Sequence, residues 1–217
     1  MSDEGASDAS GTRQALRGAF PPTLRPVVDE ALAIIPPPSK PRLDSFVLSG
    51  LSTSGIGPLL VAGESIVIPY RIYSPEPTTA AKQTLSGEAA VVLACAYSRH
   101  NDGFVRERAL RQFVLEDRPW IVPFVIQLLG EYVPEIAKVV VEALDDVARR
   151  AYEEFGADNP DFLRLTQQHT ISYWAEFYGG RYLFGEYPPV RAMLGLGLWR
   201  GPAGRRRLAR WRRLHAD

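Results

Sequence analysis

Cysteine is almost absent from this chain of 217 residues, where Cys95 stands alone. A single thiol makes no internal disulfide and no multi-cysteine zinc site, which fits a reducing compartment and sets redox chemistry aside. Long apolar runs are missing too. The longest, AAVVLACAY and WIVPFVIQLLG, fall well short of the ~20 residues that a membrane-crossing helix requires, so no transmembrane segment is expected. The opening MSDEGASDASGTRQ has neither a basic start nor an apolar stretch, unlike a secretory signal, and the expectation is a soluble cytoplasmic protein. No phosphate-cradling loop stands out, because the glycines of GLSTSGIG lack a following lysine and helix. The G-x-S-x-G pattern of an exposed serine nucleophile is also missing. No cofactor is implied.

Net charge is lacking as well, with 25 basic and 25 acidic residues, but the balance hides an asymmetry. Residues 200–217 hold seven arginines against Asp217, an excess of six positive charges, which leaves the preceding body six negative. An acidic body with a basic end suggests contact with an anionic partner. The end itself, GRRRLARWRRLHAD, reads as a basic amphipathic helix with Leu208, Trp211 and Leu214 along one side and Arg205, Arg206, Arg207, Arg210, Arg212 and Arg213 around it. Such a segment can meet nucleic acid, an anionic membrane surface or an acidic protein, or fold back onto the body.

The remaining sequence divides by composition and period. Residues 1–41, rich in Ser, Gly, Asp and Pro, read as a disordered leader and stiff linker, with PVVDEALAII at 26–35 as a short helix inside it. Residues 42–75 read as a small β-hairpin annex. In ESIVIPYRIY, Ile66, Ile68, Tyr70 and Ile72 recur at every second position, PLLVA joins through Gly63, and LDSFVLSG could add a third strand. Pro69 has no N–H to give a ladder and places the strand at an edge or a bulge.

A helical domain is expected over 86–200. Ser86 suits an N-cap before EAAVVLACAY, which is apolar all round and therefore reads as a central buried helix. In VRERALRQFVL the stripe Val105, Ala109, Leu110 and Phe113 predicts a surface helix with Arg106 on the wet face. Pro119 and Gly130 bracket a third helix. Ile136, Val140, Leu144, Val147, Ala151 and Phe155 predict one long helix from Pro134, and Asn159 with Pro160 opens another that Gly179 and Gly180 end. The segment RYLFGEYPPVRAMLGLGLW has no clear period.

The densest group of reactive side chains is YSRHNDGFVRERALRQF, residues 97–113. Its HNDG centre is turn chemistry, and Asp102 or Asn101 can cap the helix that follows. NDGFVRERAL, with Asp102, Val105, Arg106 and Ala109, resembles the turn and second-helix start of HEAT-type repeats. That resemblance covers one unit, about 86–116; the pair at 119–156 has similar dimensions without the signature. It implies an α+β, mainly α-helical fold in which HEAT-like helical pairs stack beside the β-hairpin annex. It also implies structural roles for Asp102 and Arg106 and a concave surface for binding protein, and His100 reads as a structural member of the same turn.

Other chemistry is weaker. Cys95 and His100, five apart, diverge by roughly 140° on a helix and share no face. Glu131 and Glu135 flank a break between helices. An enzyme or metal site would have to gather His100, Asp102 and His169, although His169 fits the core or rim of the stripe Phe162, Leu165, His169, Tyr173, Phe177. More informative is YWAEFYGGRYLFGEY: Tyr173, Trp174, Phe177, Tyr178 and Arg181 could form a groove for another protein, or the rings could close the end of the helical layer. The reading that follows is a non-catalytic protein-interaction or scaffold module. A nucleic-acid-associated protein using the arginine tail and a small enzyme at His100, Asp102 and His169 are the alternatives.

Overall fold

The computed structural model describes residues 13–37 and 57–199, which are mainly helical with one two-stranded antiparallel sheet. The expected strand at 43–50 and the arginine tail, Arg205, Arg206, Arg207, Arg210, Trp211, Arg212 and Arg213, lie outside these residues. No helix among the described residues is long and apolar enough to cross a membrane. The chain forms two compact units, Met1–Phe113 and Val114–Asp217, so the single helical domain expected over 86–200 is divided after Phe113. The physical reason is that each unit has its own helix buried on every side, and hence its own core.

In the first unit that helix is Gly87–Tyr97, here α3, with Ala89 and Val91 through Tyr97 all buried. Ser86 caps it, its hydroxyl accepting from Ala89 N at 3.3 Å. Helix α1, Arg25–Ala33, packs on α3 through Val28, Ala31 and Leu32. The leader was expected to be unstructured apart from a short helix at 26–35; that helix is present as α1, and residues 13–24 are folded as well. Leu16, Ala19, Phe20 and Ile35 are buried, Arg17 pairs with Asp29, and Glu30 accepts from both the N–H (2.6 Å) and the hydroxyl (3.0 Å) of Ser86. Enough apolar side chains lie between the prolines to hold this segment against the core.

Strands β1 (Leu59–Val61) and β2 (Glu64–Ile66) pair antiparallel with Leu59 opposite Ile66. Ala62 and Gly63 turn the chain with φ of 49° and 85°, the paired left-handed geometry of a two-residue hairpin. The strand predicted as far as Tyr73 stops at Ile66. Ile68 and Ile72 remain buried while Tyr70 is 58% exposed, so the alternation fails there. Pro69 offers no donor, and the chain instead meets the end of α3, where Ile72 N donates to Arg99 O at 2.8 Å and Asn101 N to Ile72 O at 3.0 Å. A short helix α2, Thr79–Lys82, precedes Ser86, and α4, Gly103–Phe113, packs along α3.

The second unit is built round α5, Val122–Leu129, all of whose residues are buried; a tight turn at Pro119–Ile121 leads into it and Gly130 ends it. The long helix expected from Pro134 is broken into α6 (Pro134–Glu142) and α7 (Arg149–Asp158). After Glu142 the hydrogen bonds tighten to three-residue spacing, Leu144 N to Val141 O and Asp146 N to Ala143 O, and Ala148 is extended. Leu144 sits over Gly195, where an added Cβ would lie only 2.5 Å from Leu144 Cδ1. Of the periodic residues, Ile136 and Val140 thus belong to α6 and Ala151 and Phe155 to α7, while Leu144 and Val147 fall in the connection between them.

Helix α8, Pro160–Tyr173, buries Phe162, Leu163, Thr166 and Thr170. The threonine hydroxyls donate to carbonyls, Thr166 to Phe162 O at 2.9 Å and Thr170 to Leu129 O at 3.0 Å, and so lose their polarity to the interior. The missing side chain of Gly130 lets Thr166 approach. Helix α9, Pro188–Gly195, lies against α5 and α6. It ends in a Schellman motif: Gly197 has φ 74°, Leu198 N donates to Met193 O at 2.8 Å and Gly197 N to Leu194 O at 3.2 Å.

Candidate interaction site

The turn of the first unit spends its polar atoms on the backbone. Asp102 accepts from Phe104 N at 2.8 Å, and the Asp102 N–H donates to His100 Nδ1 at 3.0 Å. Arg106, expected on the wet face, is 2% exposed; its Nη1 donates to His100 O and Asn101 O, both at 2.9 Å. The reason for its inward turn is that these two carbonyls close the turn and need a donor. Arg99, which the sequence pattern did not single out, is buried in the same way, donating from Nη2 to Tyr70 O at 2.9 Å. The His100 ring lies over Tyr97 at 6.0 Å. Burial holds the His100 pKa below its usual range, outweighing the upward pull of Asp102 and Glu76. Burial raises the Tyr97 hydroxyl far above its ordinary value, and that hydroxyl donates to Pro75 O. For Glu76, burial opposes ionisation, yet bonds from Arg108 and Lys82 more than offset it and keep the carboxyl low.

His100 and Asp102 are therefore together, while His169 belongs to the second unit and is solvent-exposed. Cys95 is fully buried within α3. Among the described residues no group of three His, Cys, Asp or Glu side chains could hold a metal ion.

The aromatic residues of the second unit take two roles. At the end of α8 the helix widens into a π-helical turn, Trp174–Tyr178, a rare geometry that often accompanies functional sites. Trp174 turns inward: its Nε1 donates to Tyr182 O at 2.9 Å, and its ring meets Phe184 edge-on at 5.1 Å, with Trp199 beyond at 5.6 Å. The other rings form a continuous surface. Tyr132 meets Tyr173 at 6.1 Å, Tyr173 meets Phe177 at 6.4 Å, Phe177 meets Tyr178 at 6.4 Å, and Tyr178 stacks on the buried Tyr187 at 5.3 Å. The Tyr178 hydroxyl donates to Tyr132 O at 2.6 Å and fixes the middle of this row. Its pKa is raised, by burial first and then by Glu135. Arg181 lies 5.2 Å over Tyr182.

The stripe read as core or rim thus emerges into water along its length. Phe162 is buried, His169 is exposed and Phe177 is 65% exposed. The helix rotates its threonines inward instead, and the π turn carries Phe177 outward. Tyr132, 56% exposed, joins the face from the α5–α6 connection, a partner that sequence reasoning missed. Its position just after the helix-ending Gly130 was the available signal. Leu183, 72% exposed, follows in the same segment.

No family model, curated protein or solved structure matches the chain. Geometry alone carries the functional reading.

Proposed function

We propose that this chain is a non-catalytic protein-interaction module with a HEAT-like helical pair in its first unit, and that its partner protein seats on the aromatic face of the second. The observation that carries the proposal is the π-helical turn Trp174–Tyr178, which holds Phe177 in water beside Tyr132. Leaving two large rings exposed forgoes burial worth roughly 1.5–3 kcal/mol apiece, a loss that covering by a partner would recover. Tyr and Phe are suited to this, because they supply contact area at low conformational cost. Tyr178 and Tyr187 stiffen the face from behind. The HEAT-like reading draws support from the paired helices Gly87–Tyr97 and Gly103–Phe113 and from the bonds of Asp102 and Arg106 across their turn.

A photo-cross-linking amino acid at position 177 tests the proposal, with the same label at the exposed Arg108 of the first unit as control. The expected result is one protein adduct formed from position 177 and not from position 108, abolished by Tyr132→Ala. Equal labelling from both positions, or an adduct indifferent to Tyr132→Ala, overturns it.

A further inference from the structure

The two segments that build the aromatic face, residues 131–138 and 173–187, hold four carboxylates, Glu131, Glu135, Glu176 and Glu186, against Lys138 and Arg181. Both cations are already engaged. Lys138 Nζ stands 3.8 Å from Glu135 Oε1, and the Arg181 guanidinium lies 5.2 Å over the Tyr182 ring. Glu176 and Glu186 are exposed and have no ion-pair partner among the described residues. Exposed rings bordered by unbalanced carboxylates favour a cation from outside.

The face of an aromatic ring attracts a cation held within about 6 Å of its centre. One such seat is filled inside this cluster, by Arg181 over Tyr182. The rings that meet water are set differently. Tyr132 meets Tyr173 at 63°, Tyr173 meets Phe177 at 31° and Phe177 meets Tyr178 at 67°, so neighbouring faces point in different directions. A flat guanidinium matches one ring face, whereas a rounded ammonium group can touch two angled faces at once. An unmethylated ammonium also brings three N–H donors that need acceptors. The hydroxyl in the middle of the row, that of Tyr178, is already spent on Tyr132 O at 2.6 Å. Methyl groups on the nitrogen keep the charge and remove that demand.

The carboxylates are close enough to act on the rings. Behind the row the Tyr187 hydroxyl is fully buried with no hydrogen-bond partner among the described residues. Burial first, and then Tyr178, Tyr182 and Glu135, hold its proton on well above the ordinary phenol range. Glu135 acts on the Tyr178 hydroxyl in the same direction. The row therefore stays neutral in its rings and negative at its rim near pH 7.

We infer that the aromatic face recognises an N-methylated ammonium group, seated against the rings of Tyr132, Tyr173 and Phe177 with Glu135 and Glu176 as counter-charges. On the interaction-module reading, on which this inference rests, that group is a methylated lysine side chain of the partner protein.

Nuclear magnetic resonance of the full-length protein with isotope-labelled tyrosine rings is the test, the signals of Tyr132 and Tyr173 being assigned with Tyr132→Phe and Tyr173→Phe. The probes are tetramethylammonium chloride, ammonium chloride and uncharged tert-butyl alcohol at equal ionic strength. The expected result is a saturable shift of both rings with tetramethylammonium, about threefold or more weaker with ammonium and absent with the alcohol. Phe177→Leu, which keeps apolar bulk without the ring face, should weaken tetramethylammonium binding about two- to fivefold. Glu135→Gln/Glu176→Gln should weaken it by a similar factor, whereas Asp145→Asn/Asp158→Asn, an equal charge change at exposed positions outside both segments, should not. Equal shifts with the alcohol, equal binding of the two cations, or equal weakening by both carboxylate pairs overturns the inference. The cross-link from position 177 reports separately on the protein partner. If the Tyr132-dependent adduct forms and excess tetramethylammonium does not suppress it, this inference falls and the interaction module stands. If tetramethylammonium binds as expected and no adduct forms, the interaction module falls and the seat belongs to a free quaternary ammonium compound.

Discussion

Gly197→Ala should destabilise the second unit by an amount that separates into two parts. Gly197 has φ 74° in the Schellman motif that ends α9, and holding an L-residue in that left-handed conformation costs roughly 1–2 kcal/mol. The new Cβ would also fall 2.4 Å from Glu153 Oε1 and 3.0 Å from its Cγ. Glu153 is an exposed side chain on α7 and can rotate aside, so this contact adds about 0.5–1.5 kcal/mol rather than a full clash. The sum is about 1.5–3.5 kcal/mol, which at a urea dependence of ~2 kcal/mol per molar lowers the midpoint by about 1 M. Tryptophan fluorescence in urea is a suitable assay, because Trp199 follows the motif by two residues. In a Glu153→Ala background the second part should vanish while the first persists, and Gly197→Asn should cost less than Gly197→Ala. A neutral Gly197→Ala would refute the backbone argument. An unchanged cost in the Glu153→Ala background would refute the contact.

Arg106→Met keeps the buried stem but removes both 2.9 Å bonds to His100 O and Asn101 O; urea unfolding followed by circular dichroism should show a loss of about 2–4 kcal/mol, and one below ~0.5 kcal/mol would contradict the latch. Asp102→Ala removes the cap on Phe104 N and should cost about 1 kcal/mol in the same assay. His100 has a folded-state pKa below its unfolded value because of burial, so the unfolded chain takes up the proton first as pH falls. Stability should therefore decline as pH drops through about 6.5, and His100→Gln should flatten that slope between roughly pH 7.5 and 5.5.

Helices that announce themselves by end chemistry were legible in the sequence. Ser86 caps α3, Pro119 and Gly130 bracket the α5 region, and Pro160 opens α8. The all-apolar run also predicted burial on every side, which holds from Val91 to Tyr97. Elements decided by tertiary partners were not legible. Leu144 continues a helical period in sequence, but Gly195, fifty-one positions later, lets it pack where the helix has already stopped. Arg99 and Arg106 look like surface charges until the carbonyls of Pro69, Tyr70, His100 and Asn101 come within reach of their guanidiniums. Residues 13–24 were misread because composition weighs prolines without showing that Leu16, Ala19 and Phe20 are buried, whereas the short helix expected at 26–35 is there. The aromatic face was half legible: its rings were named, but the inward turn of Trp174 and the outward turn of Phe177 follow from the π-helical step.

The division after Phe113 also partitions the natural probes. Cys95, the only thiol, lies at the centre of the first unit, and Trp120, Trp174, Trp199 and Trp211 all fall in the second. Thiol labelling of the unmodified protein reports opening events that expose α3, and indole emission reports those of the second unit, with no engineered reporter in either. Comparing the two rates in one sample measures whether the units open together or one at a time.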